Sequence, residues 1–572
     1  MRLFGLSFIG LAGILLTLNG CSSGDETSNS LQESAQEETK NAQAETTSAK
    51  AETKRPNILL IVADDLGYTD LGVYGGEIST PNLDQLARDG MILTDFHNQA
   101  VCSPTRAALM AGTDSHNAGG AMHVYESQKG TIGYVEGLRS DVVSFPKILS
   151  ANGYRTYFAG KWHLGSEPER RPISRGFDRT LALMPGGASH YSDMKSMFSF
   201  EPPKVTYTQN GEILDSLPDD FYSTTNYTDF IISAIEEGKD IGEPWFAELA
   251  YTAPHWPLQA PREYIDKYKG RYDAGYEVLR EERIARAKSL GVIPMDAPSY
   301  QTLHAAKPWD SLSAEEKAVS ARKMEIYAAM VEVIDVNVGR LIDYLKDTGQ
   351  YENTFIMFIS DNGAEGGFHP SGKDETYDNS FENLGMVNSY TYYGPGWGGA
   401  GVGVMRYFKS YSSEGGTRGP AIVHYPSHGK GGGISDAFSS VIDIAPTALD
   451  LANIERPETI EGRAVQPFQG QSILPLIVGT SETVHSENAI FGWEVFGHLA
   501  IRQGDWKLLK LTSTPAVKNQ RKTLDTDRWG LYNMAIDPGE VNDLSDEHPE
   551  VVEKLLADWG HYVSENNIIP AN

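Results

Sequence analysis

The chain has 572 residues, 40% of them hydrophobic, enough to bury at least one large core. Asp and Glu total 77 against 48 Lys and Arg, a formal net charge of −29, which speaks against nucleic acid as a partner. The same field repels anionic ligands at long range, so a site for a sulfate or phosphate group needs cations of its own.

Residues 1–20 read as a secretory leader: Arg2, an apolar run from Leu3 to Leu16, then Leu18-Asn19-Gly20-Cys21. The run is short for a membrane span. Its last four residues resemble a lipoprotein box, in which Cys21 is acylated and becomes the mature N-terminus. The expectation is an exported protein, periplasmic or at the cell surface, lipid-anchored to a bacterial membrane. If Cys21 carries lipid, Cys102, the other of the two cysteines, has no disulfide partner. Residues 21–54 read as a polar tether; beyond Cys21 they contain no aromatic residue, no Val or Ile and one Leu, too little to offset the entropy of ordering.

At Arg55-Pro56 the composition changes. Asn57 to Val62 reads as a strand buried on both faces, running into Asp64-Asp65. A helix follows, with Thr80 as cap, Pro81 at its first position and Gly90 past its end. Trp245 to Tyr251 reads as another strand. Ser313 and Glu316 form the pattern of a capping box for a helix to about Thr348, ended by Gly349, and Thr354 to Ile359 is a strand leading to Asp361-Asn362. The strand–helix alternation predicts an α/β fold over 55–479, with a large, mostly parallel sheet sandwiched by helices. From about 480 the pattern shifts to short strands at Leu499–Ile501 and Trp506–Leu509 and one helix after Pro549, predicting a smaller C-terminal α+β domain over 480–572.

Two of these strands deliver Asp64, Asp65, Asp361 and Asn362 at their carboxyl ends, where open α/β sheets bind ligands. Such oxygen donors suit a hard cation, Ca²⁺ or Mg²⁺. The same residue types are also ordinary turn formers after strands. In Cys102-Ser103-Pro104-Thr105-Arg106, Pro104 suits an early helical position and Gly112 ends the run, which puts Cys102 at a helix N-terminus. Free N–H groups and the helix dipole favour an anion there.

That run resembles the signature Cys-x-Pro-Ser/Thr-Arg of the type I sulfatases, members of the alkaline phosphatase superfamily, whose cysteine is oxidised to Cα-formylglycine. Gly153 to His163 resembles the family's second signature and puts Lys161 and His163 two residues apart, on one side of an extended segment. Pro254-His255-Trp256-Pro257 resembles the catalytic histidine segment, and Lys409, before Gly415-Gly416, matches the last lysine. The resemblance runs from about residue 55 to 425. Tyr268 to Arg283, Trp309 to Leu312 and Thr113 to His116 are similar to segments of a bacterial arylsulfatase subgroup.

The resemblance implies an alkaline phosphatase-like sheet and hydrolysis of sulfate monoesters, small aryl or alkyl sulfates ahead of sulfated glycans. It also implies a maturation enzyme that converts Cys102 to formylglycine. Asp64, Asp65, Cys102, Asp361 and Asn362 would hold the metal, with Asp361 also the base for the attacking hydroxyl. Arg106 would fix the hydrate, Lys161 and Lys409 would supply local positive charge, His255 would protonate the leaving oxygen, and His163 would assist sulfate release. A phosphonate or phosphate ester hydrolase, or a lipoprotein that only binds sulfated ligands, are the competing readings. His116 and His190 fall near these segments and read equally well as structural; Lys507, Trp506 and Trp529 are assigned to C-terminal packing.

Overall fold

The computed structural model describes residues 54–122, 127–197, 202–301, 306–367, 377–512 and 528–569. The expected leader, Cys21 and the tether up to residue 53 lie outside the described residues. From Arg55 onward the chain forms one compact unit, the C-terminal region included.

The main sheet comprises β1 (Asn57–Ala63), β2 (Met91–Leu93), β3 (Arg155–Lys161), β4 (Arg179–Leu183), β5 (Tyr207–Gln209), β6 (Glu212–Ile213), β7 (Trp245–Ala250), β8 (Thr354–Ser360), β9 (Ala421–His424) and β10 (Gly433–Ser435). Their spatial order is β10-β2-β9-β8-β1-β7-β3-β4-β5-β6. The inner strands β8, β1, β7, β3 and β4 are parallel, and β9 and β5 pair antiparallel beside them. All seven residues of β1 are buried, as expected of a parallel strand covered on both faces.

Alternation along β1 divides the core. Leu59, Ile61 and Ala63 face one layer, with Ala328 and Val331 of α5 (Ala314–Asp347) and Ile231 and Ile235 of α3 (Ser223–Gly238). Ile58, Leu60 and Val62 face the other, with Ala107, Leu109 and Met110 of α2 (Cys102–Ala111). This is the expected sandwich. Helix α5 begins with the anticipated capping box: Glu316 N–H donates to Ser313 Oγ at 3.1 Å and Ser313 N–H to Glu316 Oε2 at 2.8 Å. Thr80 does precede α1 (Pro81–Asp89), but its hydroxyl does not cap the helix; it accepts from Gly72 N–H and donates to Asp84 Oδ1, both at 3.0 Å.

The segment Tyr268 to Arg283 runs into α4 (Tyr276–Leu290). Its Arg283, wholly buried, pairs with Asp70 and with Glu77, the latter at 2.7 Å. Asp70 accepts from Gly67 N–H at 2.7 Å and from Tyr327 OH at 2.5 Å, which braces the loop just after Asp64-Asp65.

Toward the C-terminus, β11 (Ile490–Val495), β12 (His498–Gln503), β13 (Trp506–Lys510) and β14 (Gly530–Asn533) form an antiparallel sheet. Ile501, Leu508 and Leu531 pack there with Leu555 of α6 (Pro549–Glu565), and Trp506 and Trp529 border the cluster. Lys507 does more than pack within this sheet. Fully buried, it pairs with Glu414 at 2.7 Å and Glu540 at 2.9 Å, while Arg502 holds Asp95 at 2.7 Å. The small sheet is thereby tied to the body by buried charge.

Candidate functional site

The carboxyl ends of β1, β8, β3 and β7 open on one edge of the sheet, and the chemistry-bearing residues converge there. Asp64 and Asp65 follow β1, Asp361 and Asn362 follow β8, Lys161 is the last residue of β3, and His255 lies in the loop after β7. Main-chain bonds lock these ends together: Asp64 N–H donates to Ala253 O at 3.1 Å and Asp361 N–H to Ala63 O at 3.0 Å. Cys102 is the first residue of α2, and Gly112 (φ 63°) ends that helix, as its sequence predicts.

Lys161 Nζ donates to Asp64 Oδ2 at 2.6 Å. Lys409 Nζ lies 2.8 Å from Asp65 Oδ1 and 3.4 Å from Glu365. Arg106 grips Asp361 Oδ2 with Nε at 3.1 Å and Nη2 at 2.8 Å, and its Nη1 donates to Lys161 O at 2.7 Å. Asn362 Nδ2 donates to Asp65 Oδ1 at 2.7 Å. Cys102 joins Asp64, Asp65 and His255 in a buried group whose ligand atoms all lie within 4.8 Å of one another. Glu365, three residues beyond Asn362, was not singled out from the sequence; an acidic residue so close to a strand-end pair was the available signal.

This donor set fits a hard cation. Asp64 Oδ1 and Asn362 Oδ1 are buried with no hydrogen-bond partner among the described residues, the signature of oxygens built for another ligand. Burial pushes the Asp65 carboxyl up to about 8; Lys409 opposes the rise, while Asp64, Glu365 and Asp361 add to it. With all four ionised, the carboxylates Asp64, Asp65, Asp361 and Glu365 outnumber Arg106, Lys161 and Lys409 by one. A divalent ion would reverse that excess and leave a net positive site for a sulfate monoester. A second acidic group, Asp95, His97 and Glu414, is already served by Arg418, Arg502 and Lys507 and is a charge network rather than a metal centre.

His255 is buried. Its Nδ1–H donates to Trp256 O at 2.5 Å, leaving Nε2 facing Asp65 Oδ2 at 3.5 Å. Burial, then Lys409 and Lys161, hold the ring well below the usual histidine range. His163 reaches the site in a different way from the extended reading. Strand β3 stops at Lys161, and His163 has left-handed backbone, φ 58°. Burial, then Lys161, Arg106 and Lys409, keep it neutral. Gly186 lies against it: a Cβ there would sit 2.6 Å from the imidazole. Asp65 also has positive φ, 67°, and non-glycine residues in that region concentrate at functional sites.

The two undecided histidines are both structural. His190 Nε2 donates to His255 O at 3.1 Å and its Nδ1 meets Ser223 Oγ at 2.8 Å; burial lowers it to about 4. It holds the backbone beneath His255. His116 binds Asp114 Oδ1 at 2.9 Å and Glu494 Oε2 at 3.1 Å. Burial alone would lower it, but the two carboxylates hold it up to about 9, so it is an imidazolium that ties the segment after α2 to β11.

A family model described as Sulfatase matches residues 56–454, and one described as N-sulphoglucosamine sulphohydrolase, C-terminal, matches 403–559. An uncharacterized sulfatase of Schizosaccharomyces pombe is 41% identical over 543 residues, covering 91% of this chain and 95% of that protein. An arylsulfatase of Klebsiella aerogenes is 38% identical, covering 73% of this chain and 91% of its own length. Among solved structures, Ps i-CgsB in complex with k-i-k-neocarrahexaose superposes with a TM-score of 0.63 at 24% identity, over 90% of this chain and 94% of that one.

Proposed function

This chain belongs to the sulfatase family, and from that premise we propose that it cleaves aryl or alkyl sulfate monoesters using Cys102 converted to Cα-formylglycine. It is a sulfuric ester hydrolase. The observation that carries the reading is the position of Cys102: at the head of α2, buried, with its sulfur among Asp64, Asp65 and His255. Burial pushes its thiol up to about 12 against the pull of Lys161 and Lys409. Formylglycine brings the chemistry of an aldehyde hydrate, two hydroxyls on one carbon, so that no second ester must be hydrolysed.

Asp64, Asp65, Asp361 and Asn362 would hold a Ca²⁺ ion, with Mg²⁺ the alternative, and bound there it supplies Lewis acidity toward a sulfonyl oxygen. Lys161 and Lys409 bind the remaining sulfonyl oxygens, which need local cations against a chain charge of −29. Arg106 orients Asp361, the base for the attacking hydroxyl. His255 serves the leaving oxygen through Nε2, because its Nδ1–H is committed to Trp256 O; the ring must first take up a proton on Nε2 before it can pass one to that oxygen. His163 assists release of sulfate. The reading extends to an exported protein anchored through Cys21, supported by Leu18-Asn19-Gly20-Cys21 and the apolar run before it, and to a separate enzyme that oxidises Cys102.

The test is one preparation and two measurements. Coexpressed with a formylglycine-generating enzyme, the protein should hydrolyse 4-nitrophenyl sulfate faster than the matching phosphate or phosphonate ester, and the tryptic peptide covering Cys102 should carry an aldehyde. An active preparation with the full thiol mass sinks the nucleophile assignment. A faster rate on the phosphorus ester moves the activity to the phosphonate or phosphate hydrolases.

A further inference from the structure

The hairpin joining β11 to β12 brings the small sheet to the nucleophile. Val495 pairs with His498, so Phe496 and Gly497 form a two-residue turn. Both have positive φ, 52° and 80°, the pattern of a type I′ turn, for which Asn-Gly is the favoured pair. A bulky residue held in the left-handed region costs roughly 1–2 kcal/mol. Turn chemistry therefore does not account for Phe496, and its side chain is the remaining reason for it.

That ring is partly exposed and, with Met122, packs against the buried cluster of Ala100, Val101, Cys102 and Val495. Its position is set from two sides. Gly497 N–H donates to Glu494 Oε1 at 3.0 Å, and Glu494 is the residue that holds His116. Ser412 Oγ donates to His498 O at 3.0 Å, and the His498 ring stacks on Tyr411 at 5.1 Å. Tyr411 and Ser412 lie two and three residues after Lys409, so the hairpin tip, the cysteine helix and the lysine loop are held in one arrangement.

We propose that Phe496 and Met122 receive the organic part of the ester, and that this hairpin selects aryl over small aliphatic leaving groups. The inference rests on Cys102 being the nucleophile. The sulfonyl group is drawn to the buried cations, so the rest of the ester extends toward partly exposed surface, and Phe496 and Met122 are the partly buried apolar side chains packed against the cluster that contains Cys102. An aromatic ring and a thioether both make favourable edge and face contacts with an aryl group.

The decisive variant is Phe496→Asn, which suits the turn while removing the ring. With Cys102 matured in both proteins, KM for 4-nitrophenyl sulfate should rise about tenfold and kcat should stay within about threefold. Inhibition by inorganic sulfate, which has no organic part, should not change, and the thermal midpoint should hold or rise. Phe496→Tyr should restore KM. A folded Phe496→Asn protein with unchanged KM overturns the proposal, as does an equal weakening of sulfate inhibition, which would mean that the cation floor was disturbed. A matured parent enzyme with no turnover of any sulfate ester would instead defeat the reading of Cys102, and this inference with it.

Discussion

Arg106 places both Nε and Nη2 on a single oxygen of Asp361, Oδ2, although 255 residues separate the two. Both side chains are buried. The other oxygen, Oδ1, is left facing the metal loop and accepts from Asp65 N–H at 3.3 Å. Arg106 therefore sets which way the carboxylate presents itself.

Arg106→Lys keeps the charge but not the fork. Its kcat should fall at least a hundredfold while urea unfolding shows a loss of no more than about 2 kcal/mol. Arg106→Ala strands a buried carboxylate and should cost about 3–5 kcal/mol. Equal stability losses in the two variants would argue against the orienting role.

Removal of divalent ions by chelation should abolish turnover and lower the thermal midpoint, and Ca²⁺ should restore both. At a free concentration one hundred times Kd the stabilisation is about 2.7 kcal/mol. Asn362→Ala, which deletes one unpartnered oxygen, should weaken Ca²⁺ binding about tenfold or more by calorimetry. Full activity in metal-free protein would remove the ion from the mechanism.

His255→Ala should harm esters of poor leaving groups far more than esters of acidic phenols, whose oxygen departs without a proton. Rates across a series of phenyl sulfates measure this directly. An unchanged dependence on leaving-group acidity would shift the acid role toward Lys409.

His116 makes a prediction about stability rather than rate. Its pKa is raised from 6.5 to about 9 in the folded protein, so its charged contacts contribute fully below pH 6.5 and are lost as pH rises through 9. The stability difference between the parent and His116→Gln should shrink by about 2–3 kcal/mol across that window. A difference that does not vary with pH would show that the ring is neutral.

Much of the fold was legible because its signals are local. A capping box acts over three residues, a buried parallel strand is a continuous apolar run, and Gly349 can end α5 because φ 67° is open to it. His163 was placed in the site for a reason the backbone does not follow: two-residue alternation assumes an extended segment, and β3 ends before it. Glu365 and Phe496 gave no comparable local signal, since each matters only through what another part of the chain brings beside it.

The amino-acid sequence by itself determined the strand ends, the helix N-terminus at Cys102 and the family, because these rest on neighbours within about a dozen residues and on side-chain chemistry. Tertiary structure alone decided which cation meets which carboxylate, that His116 and His190 brace rather than react, and that Val495 of β11 packs into the cluster of Cys102, nearly 400 residues away in sequence. The physical reason is that buried charges and hydrogen-bonding groups must be paired wherever the chain places them. Sheet order, through contacts spanning hundreds of residues, determines which partner is within reach.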